Sequence, residues 1–559
     1  MEHSLLHAVQ LIGLFLSLGG PLLVLWGIRP ACVKLGASDA REKFASDLEA
    51  IVGQWVCYGA LAATIGACAD FFVQTAELKG KTVFNGVSLS LAGNLATETW
   101  IGRIGLARVG TLLLVALVAR WSWKGRWWLL VFLAGAGTIL ASLVSHAAAQ
   151  PISRAPAIAT QVMHLCGGAA WLGVLLHLLA ARARLETAAG RECFALTVEV
   201  VRRFSPWAMG AVCLLLLSGL ISVFRFISEP GAVLTSAYGL TLLLKLILVC
   251  LVLYAGYQNF ALVRPALLRL ACKHHSDSAS EAGDQAALAE KTKALVHFGR
   301  MMELEVTAGL LAVTVAGILG SVSPPGKAGT QRLTTLQAQV LLCPHLPTTD
   351  IVNPGTFYGA EARTLNDLRY SEFMHNWSGL AVLLLGLCWL IHSLRNHSAA
   401  WVTHVWPGLL VGFGIFIGVA SDPEVWLLRR VSFWTAVGDP QLLEHQLGAG
   451  MVFLLAWMAW RSRRQPAGDG LMGYGLPGVM IFGSLLLLGH AHSSFNATEQ
   501  LTNLINVQHA IFGTCGLLAG TVRWLALRTL IPLRLANWVW PVFVVGLGIF
   551  MAFYYREVV

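Results

Sequence analysis

Towards the carboxy end an apolar run closes on two imidazoles, LLLLGHAHSSFNATE (485–499), with His490 and His492 one residue apart. Imidazole near neutral pH carries protons and ligates zinc, copper, iron or nickel. Residues i and i+2 stand about 200° apart on a helix, so both rings reach one centre only where the helix unwinds. Gly489 before the pair and SSFN after it favour that break. The alternative is that one ring binds while the other orients or relays. His3 and His7 differ, because a four-residue step keeps both on one helical face.

Such residues need a scaffold, and the composition defines it. Of 559 residues, 56% are hydrophobic and 12% charged, whereas soluble domains carry about 25% charged residues. A bilayer crossing needs roughly 20 apolar residues. Fourteen such segments occur, near 4–28, 50–72, 102–120, 127–149, 158–181, 205–226, 239–263, 303–322, 374–394, 405–421, 441–461, 473–494, 503–527 and 536–555. The expected fold is an all-α polytopic membrane bundle of about 14 helices. The first segment lacks a preceding basic residue and is too long for a signal-peptide core, so it reads as a retained span.

The net charge of +10 is an orientation signal, not a nucleic-acid signal. Odd loops hold the clusters Arg120/Lys124/Arg126, Arg182/Arg184/Arg191/Arg202/Arg203 and Arg461/Arg463/Arg464, and even loops are poor in Lys and Arg. Basic loops stay cytoplasmic, which puts both termini on the outer side of the membrane. Eleven cysteines are scattered without a CxxC pair, so no disulfide framework is expected. Cys57 and Cys68 share a helix face and read as small core residues.

Residues 326–373 form the longest outer loop and separate an eight-helix module (1–325) from a six-helix module (374–559). The inner stretch 264–300 reads as a polar, mobile linker. The first eight helices look like a parallel 4+4 duplication: His7 and His164 open helices 1 and 5, and FASDLEAIVGQW (44–55) matches FALTVEVVRRFSPW (194–207). Gly102 precedes Arg108 by the six-residue step that separates Gly239 from Lys245. Sites in such proteins often lie between repeats.

On this topology His3, His7, His146 and His164, then His375, His445, His490, His492 and His509, fall at outer helix ends in apolar sequence at one depth. His177 and His392 lie near inner ends, and His274, His275, His297, His397 and His404 in or beside inner loops. A lone outer histidine reads as an interfacial residue satisfied by water or a carbonyl; the set at one level favours a metal or cofactor. Nearby acids are few (Glu372, Glu444, Glu499), which argues against calcium, magnesium and manganese and leaves copper, zinc or haem iron. Met163 neighbours His164, but adjacent helical residues diverge. Arg108 and Lys245 lie within spans, where an unpaired charge costs roughly 2.5–3.5 kcal/mol. Asp70 is placed to pair with Arg108; Lys245 either snorkels outward or has a structural partner.

The stretches SHAAA (145–149), HLCGGAAWLGVLL (164–176), RRFSPWA (202–208), YGLTLLLK (238–245), Asn259, the Glu303/Glu305 region and SPP (323–325) resemble, in this order, the copper resistance D (CopD/PcoD) family. The resemblance covers about 1–325. HNWSGL (375–380), ASDPEVW (420–426), EHQLG (444–448) and GHAHS (489–493) look like the extension of longer members. The resemblance implies a bacterial inner-membrane protein that moves copper inward from the periplasm, often alongside a CopC-type periplasmic carrier. Carried over, His146 and His164 are the first candidate ligands and His7 the third, with Trp171 a packing residue. No methionine-rich run stands near the amino terminus or in the outer loop, a departure from a dedicated Cu(I)-capture segment.

The candidate metal ligands are therefore His7, His146, His164, His375, His445, His490, His492 and His509, supported by His3, Met163, Trp171, Arg108, Asp70 and Lys245. Copper transport or transfer is the first functional expectation; without a GxxxxGK[ST] or DKTG sequence it would be passive or ion-coupled, and no enzymatic activity is expected. The alternatives are a membrane haem b protein using axial pairs from His375, His445, His490 and His509, and an assembly subunit without transport of its own.

Overall fold

The computed structural model describes residues 2–558 except 80–85, 124, 146–147, 149–152, 189, 228, 274–280, 326–331, 350–363, 396–400, 422–431, 433, 435–439, 463–470 and 490–497. Among the described residues the chain is helical, with no strand. The first module comprises α1 (His3–Leu35), α2 (Asp39–Ala76), α3 (Trp100–Arg120), α4 (Arg126–Leu143), α5 (Arg154–Ala180), α6 (Glu192–Phe226), α7 (Ala237–Cys272) and α8 (Gln285–Leu319). The second comprises α9 (Leu365–Leu394), α10 (Val402–Ala420), α11 (Leu442–Arg461), α12 (Gly473–Gly489), α13 (Glu499–Leu527) and α14 (Leu533–Phe553). Thirteen of these are long and apolar enough to cross a membrane, and α12 is shorter. Lipid is the natural neighbour of outward faces such as Leu216, Leu217, Leu220, Ile221 and Phe224 of α6, all exposed.

Several helices begin outside their apolar windows, because capping rather than hydropathy sets a helix start. α9 begins at Leu365: the Thr364 hydroxyl accepts from the Asp367 amide at 3.3 Å, and Asp367 accepts from the Thr364 amide at 2.7 Å. The Thr498 side chain caps α13 in the same sense, accepting from Leu501 N. The polar stretch 264–300 is also largely helical, since α7 runs to Cys272 and α8 starts at Gln285. The expectation of a mobile linker there is corrected; charged residues continue both helices past the bilayer.

In the first module α1 packs against α2, α4, α5 and α8. It crosses α5 at bare backbone: a β-carbon on Gly173 would stand 2.2 Å from the Phe15 carbonyl oxygen, so only glycine permits this approach. Three helices carry a π turn, at Leu23–Ile28, Ala169–Gly173 and Asn259–Val263, irregularities that often mark functional positions.

The modules join through an apolar seam where Leu244, Leu248 and Val315 of α7 and α8 meet Leu488, Ala510 and Leu517 of α12 and α13. At the outer end Leu333 N donates to Thr235 O (2.8 Å), and Gln337, in the short helix Thr335–Leu341, donates to Gln500 O (3.0 Å). At the basic end Glu303 of α8 accepts from Arg182 beyond α5 and from Arg528 beyond α13.

Candidate functional site

The first module builds the same polar arrangement twice. Gly13 of α1 approaches the Gly59 carbonyl and Ala63 of α2; Gly167 of α5 approaches the Ala211 carbonyl and Leu215 of α6. These contacts fix the register of the two halves. Three residues before each glycine stand Gln10 and His164; three after Ala63 and Leu215 stand Gly66 and Ser218. Gln10 Nε2 donates to Gly66 O at 3.2 Å, and His164 Nδ1 lies 2.9 Å from Ser218 Oγ. The third helices match too. Thr99 caps α3 by accepting from Gly102 N, and Ser236 caps α7 by accepting from Gly239 N. Six residues past each capped glycine, Arg108 donates to Gln10 Oε1 at 2.7 Å, and Lys245 acts electrostatically on His164.

Two expectations change. The structural counterpart of His164 is Gln10, not His7. Arg108 is held by Gln10, while Asp70 is taken by His3 at 2.5 Å and acts on Arg108 only at longer range. Hydropathy gives depth along a helix but not azimuth, so it could not choose between these partners. His3 and His7 stack as their four-residue step requires, with ring centroids 6.4 Å apart and planes at 16°. His7 abuts Gly320 just past α8, where Ser4 Oγ donates to Ser321 Oγ at 2.8 Å.

Depth changes as well. His164, His375 and His509 each lie ten residues inside their helices, about 15 Å from the helix start at 1.5 Å per residue. They lie within the bundle rather than at helix tips, because each helix starts ahead of its apolar run, α9 and α13 from capped turns. Met163 is exposed and points away from His164, so its supporting role is withdrawn. Cys57 is buried and Cys68 exposed, so the pair does not form one core face. His146, His490 and His492 lie outside the described residues.

The second module holds a cavity of about 430 Å³, lined from six helices by His375, His445, His509, Glu444 and Asp367, by Met374, Met451, Met480 and Met551, and by aromatic and aliphatic side chains. His375 of α9 and His509 of α13 face one another edge to face, centroids 5.5 Å apart and planes at 85°. His375 Nδ1 bonds Ser371 O, and His509 Nδ1 bonds Ile505 O, each at 2.9 Å and each to the carbonyl one turn back. A carbonyl only accepts, so each Nδ1 carries the proton and each Nε2 the lone pair. This is the pattern by which outer partners orient ligating imidazoles. Among the described residues no group of three or more His, Cys, Asp or Glu side chains gathers as a metal site. The described histidines thus offer a pair, with thioethers on the same walls.

The chain end, which the sequence did not mark, closes this site. Tyr555, fully buried, stacks on His375 at 4.0 Å and 21°. Gln508, beside His509, holds the tail by donating to Arg556 O (2.8 Å) and accepting from Arg556 N (2.9 Å). Glu557 accepts from Ser371 Oγ and Tyr555 OH, both at 2.5 Å. Leu244 and Leu248, next to Lys245 in sequence, and Ala510, next to His509, belong to the apolar seam between the modules.

A third polar group lies deeper. Trp171, within the α5 π turn, donates to Glu305 Oε1 at 2.8 Å, and Asn259, at the start of the α7 π turn, donates to Glu305 Oε2 at 2.8 Å. Trp171 is thus a hydrogen-bond donor as well as a packing residue.

These features define a multi-pass helical membrane protein with polar groups buried at fixed levels of its bundle. Comparison supports the copper resistance protein D family: the chain matches the D-like N-terminal domain over residues 3–153 and copper resistance protein D over 198–319. It is 32% identical over 128 residues to the copper transport protein CutJ of Bacillus subtilis (strain 168), a stretch that is 23% of each chain. No solved structure matches. The family ties the chain to copper handling or resistance; residues beyond 319 lie outside both family matches.

Proposed function

We propose that this protein binds copper through imidazoles set below its outer face and passes the ion across the membrane, with a CopC-type periplasmic carrier as the expected donor. Copper is cargo here, not a resident cofactor. The observation that carries the reading is the His375–His509 pair, edge to face with each ring pinned through Nδ1, in a cavity that also displays four methionines. Imidazole with thioether is a donor set for copper. In the first module His164, which lies between the two family-matched stretches, is the ligand candidate, and the neighbouring Lys245 makes it a place of passage rather than rest.

Purified protein tests this by copper per chain and absorption spectrum. The His375→Ala/His509→Ala double variant should lose most bound copper, and His164→Ala little. Unchanged stoichiometry in the double variant, with native unfolding behaviour, overturns the assignment. The same facing pair also suits axial ligation of haem; a red protein with a Soret band lost in that double variant would establish the haem reading instead.

A further inference from the structure

Glu305 is a carboxylate inside a membrane domain, 6% exposed, between α5 and α7. Each of its oxygens has one neutral donor, Trp171 Nε1 and Asn259 Nδ2, both at 2.8 Å. Among the described residues no cation pairs with it. The nearby charged and titratable groups are committed elsewhere. Glu303, two residues away, holds Arg182 and Arg528; Arg264 of α7 lies over the Phe260 ring; His177 of α5 bonds Leu16 O on α1; Lys291 of α8 lies over Phe194. A lone carboxylate in apolar surroundings is costly while ionised, and intramembrane carboxylates commonly serve as relays.

One further atom bears on its chemistry. Asn259 Oδ1 is buried and without a hydrogen-bond partner among the described residues. As drawn, the amide donates to a carboxylate. Turned over, it presents Oδ1 to a carboxylic acid O–H, so one side chain can satisfy either protonation state. Glu305 lies two residues along α8 from Glu303, about 3 Å of rise and about 200° around the axis, and the partners of Glu303 at the basic end are partly exposed.

We propose that Glu305 is a reversible proton-binding site of the first module, exchanging with the basic end, and that Asn259 accommodates both states by amide rotation. The reaction is a carboxylate plus a proton giving a carboxylic acid, with no other bond changed. Resting on the transport reading, this makes the proton the ion whose movement is coupled to copper.

The decisive measurement needs no copper. Infrared difference spectra of the full chain in lipid nanodiscs, titrated over about pH 5–9, should show a protonated-carboxyl band that appears on acidification and is absent in Glu305→Gln. Asn259→Leu, which cannot accept from the acid, should keep the band and move its midpoint by about one pH unit. A band unchanged in Glu305→Gln, or a Glu305 signal that is wholly ionised or wholly protonated throughout, overturns the proposal. If Glu305→Gln fails to fold, Asn259→Leu alone decides, and an unmoved midpoint there overturns it too. In copper-loaded proteoliposomes an imposed pH gradient should alter copper flux in the native chain and not in Glu305→Gln. Titration without any copper flux would instead refute the transport reading and leave the proton site standing.

Discussion

The two histidine sites of this protein are built on opposite principles. His164 sits where a repeated scaffold places a polar residue beside a cation: its Nδ1 meets Ser218, and Lys245 stands near, as Gln10 stands beside Arg108 in the other half. His375 and His509 sit in a cavity lined by no lysine or arginine among the described residues, with each Nδ1 tied to a backbone carbonyl, and Tyr555 lies across one ring. The repeat shows that a hydrogen-bonded amide can fill the His164 position, so that position need not be a ligand. The second module has no such duplicate; its imidazoles are oriented by backbone and surrounded by sulfur. A cation-flanked imidazole suits brief contact with a metal ion, and a neutral, pre-oriented pair suits residence.

Breaking the second site should have the largest effect. Tyr555 is fully buried, stacks on His375 and lies 5.7 Å from the Phe512 ring. Tyr555→Ala should destabilise the chain by about 3–5 kcal/mol, as large-to-small aromatic deletions do, and should lower copper per chain by freeing His375. Tyr555→Phe keeps the ring and loses only the bond to Glu557, a loss of about 1 kcal/mol. Comparing thermal unfolding and copper content of the two separates ring from hydroxyl; equal damage would mean that stacking is not what holds the site.

Sharpening the first site comes next. If Lys245 keeps copper from resting on His164, then Lys245→Met should raise copper affinity there by about tenfold, since roughly 1.4 kcal/mol of relieved repulsion is a factor of ten. The measurement is copper binding in a His375→Ala/His509→Ala background, where the second pair is silent. No gain would mean that Lys245 only fills space. Ser218→Ala removes the His164 partner at 2.9 Å and should cost about 1 kcal/mol of stability, with no change in copper held by the second module.

What could be read in advance follows from what hydropathy encodes. Apolar windows recovered all the spans and the charge bias across the loops, because bilayer thickness and insertion act on segments. They also brought His375, His445 and His509 to one cavity, since all three lie in the outer halves of neighbouring helices. Azimuth was hidden: Gln10 was not marked as the partner of Arg108, nor His3 as that of Asp70, because pairing across helices depends on rotation that only close glycine contacts fix. The π turns carrying Trp171 and Asn259 leave no periodicity signature, so the Glu305 group could not be assembled from spacing. Tyr555 was missed because it closes the last apolar run, where hydropathy marks a span but not a ring stacked on a histidine of another helix.

The smallest expected effect tests whether the two sites act within one rigid body. Arg528, just past α13, and Arg182, just past α5, both donate to Glu303 of α8, so one carboxylate ties the modules together at the basic end. The bond to Glu303, with help from Tyr474, holds the Arg528 guanidinium above its ordinary value, so it stays charged at any working pH. The contact should therefore respond to salt and not to pH. Because the Arg528 side chain is 40% exposed, Arg528→Ala should cost about 0.5 kcal/mol or less, and the native–variant difference should shrink as ionic strength rises and the Debye length falls below about 8 Å. Copper content should not change, since both histidine sites lie at the other end of the bundle. A loss of copper from the second module in Arg528→Ala would show that the basic-end contact sets the outer site, and the two sites could no longer be treated as independent.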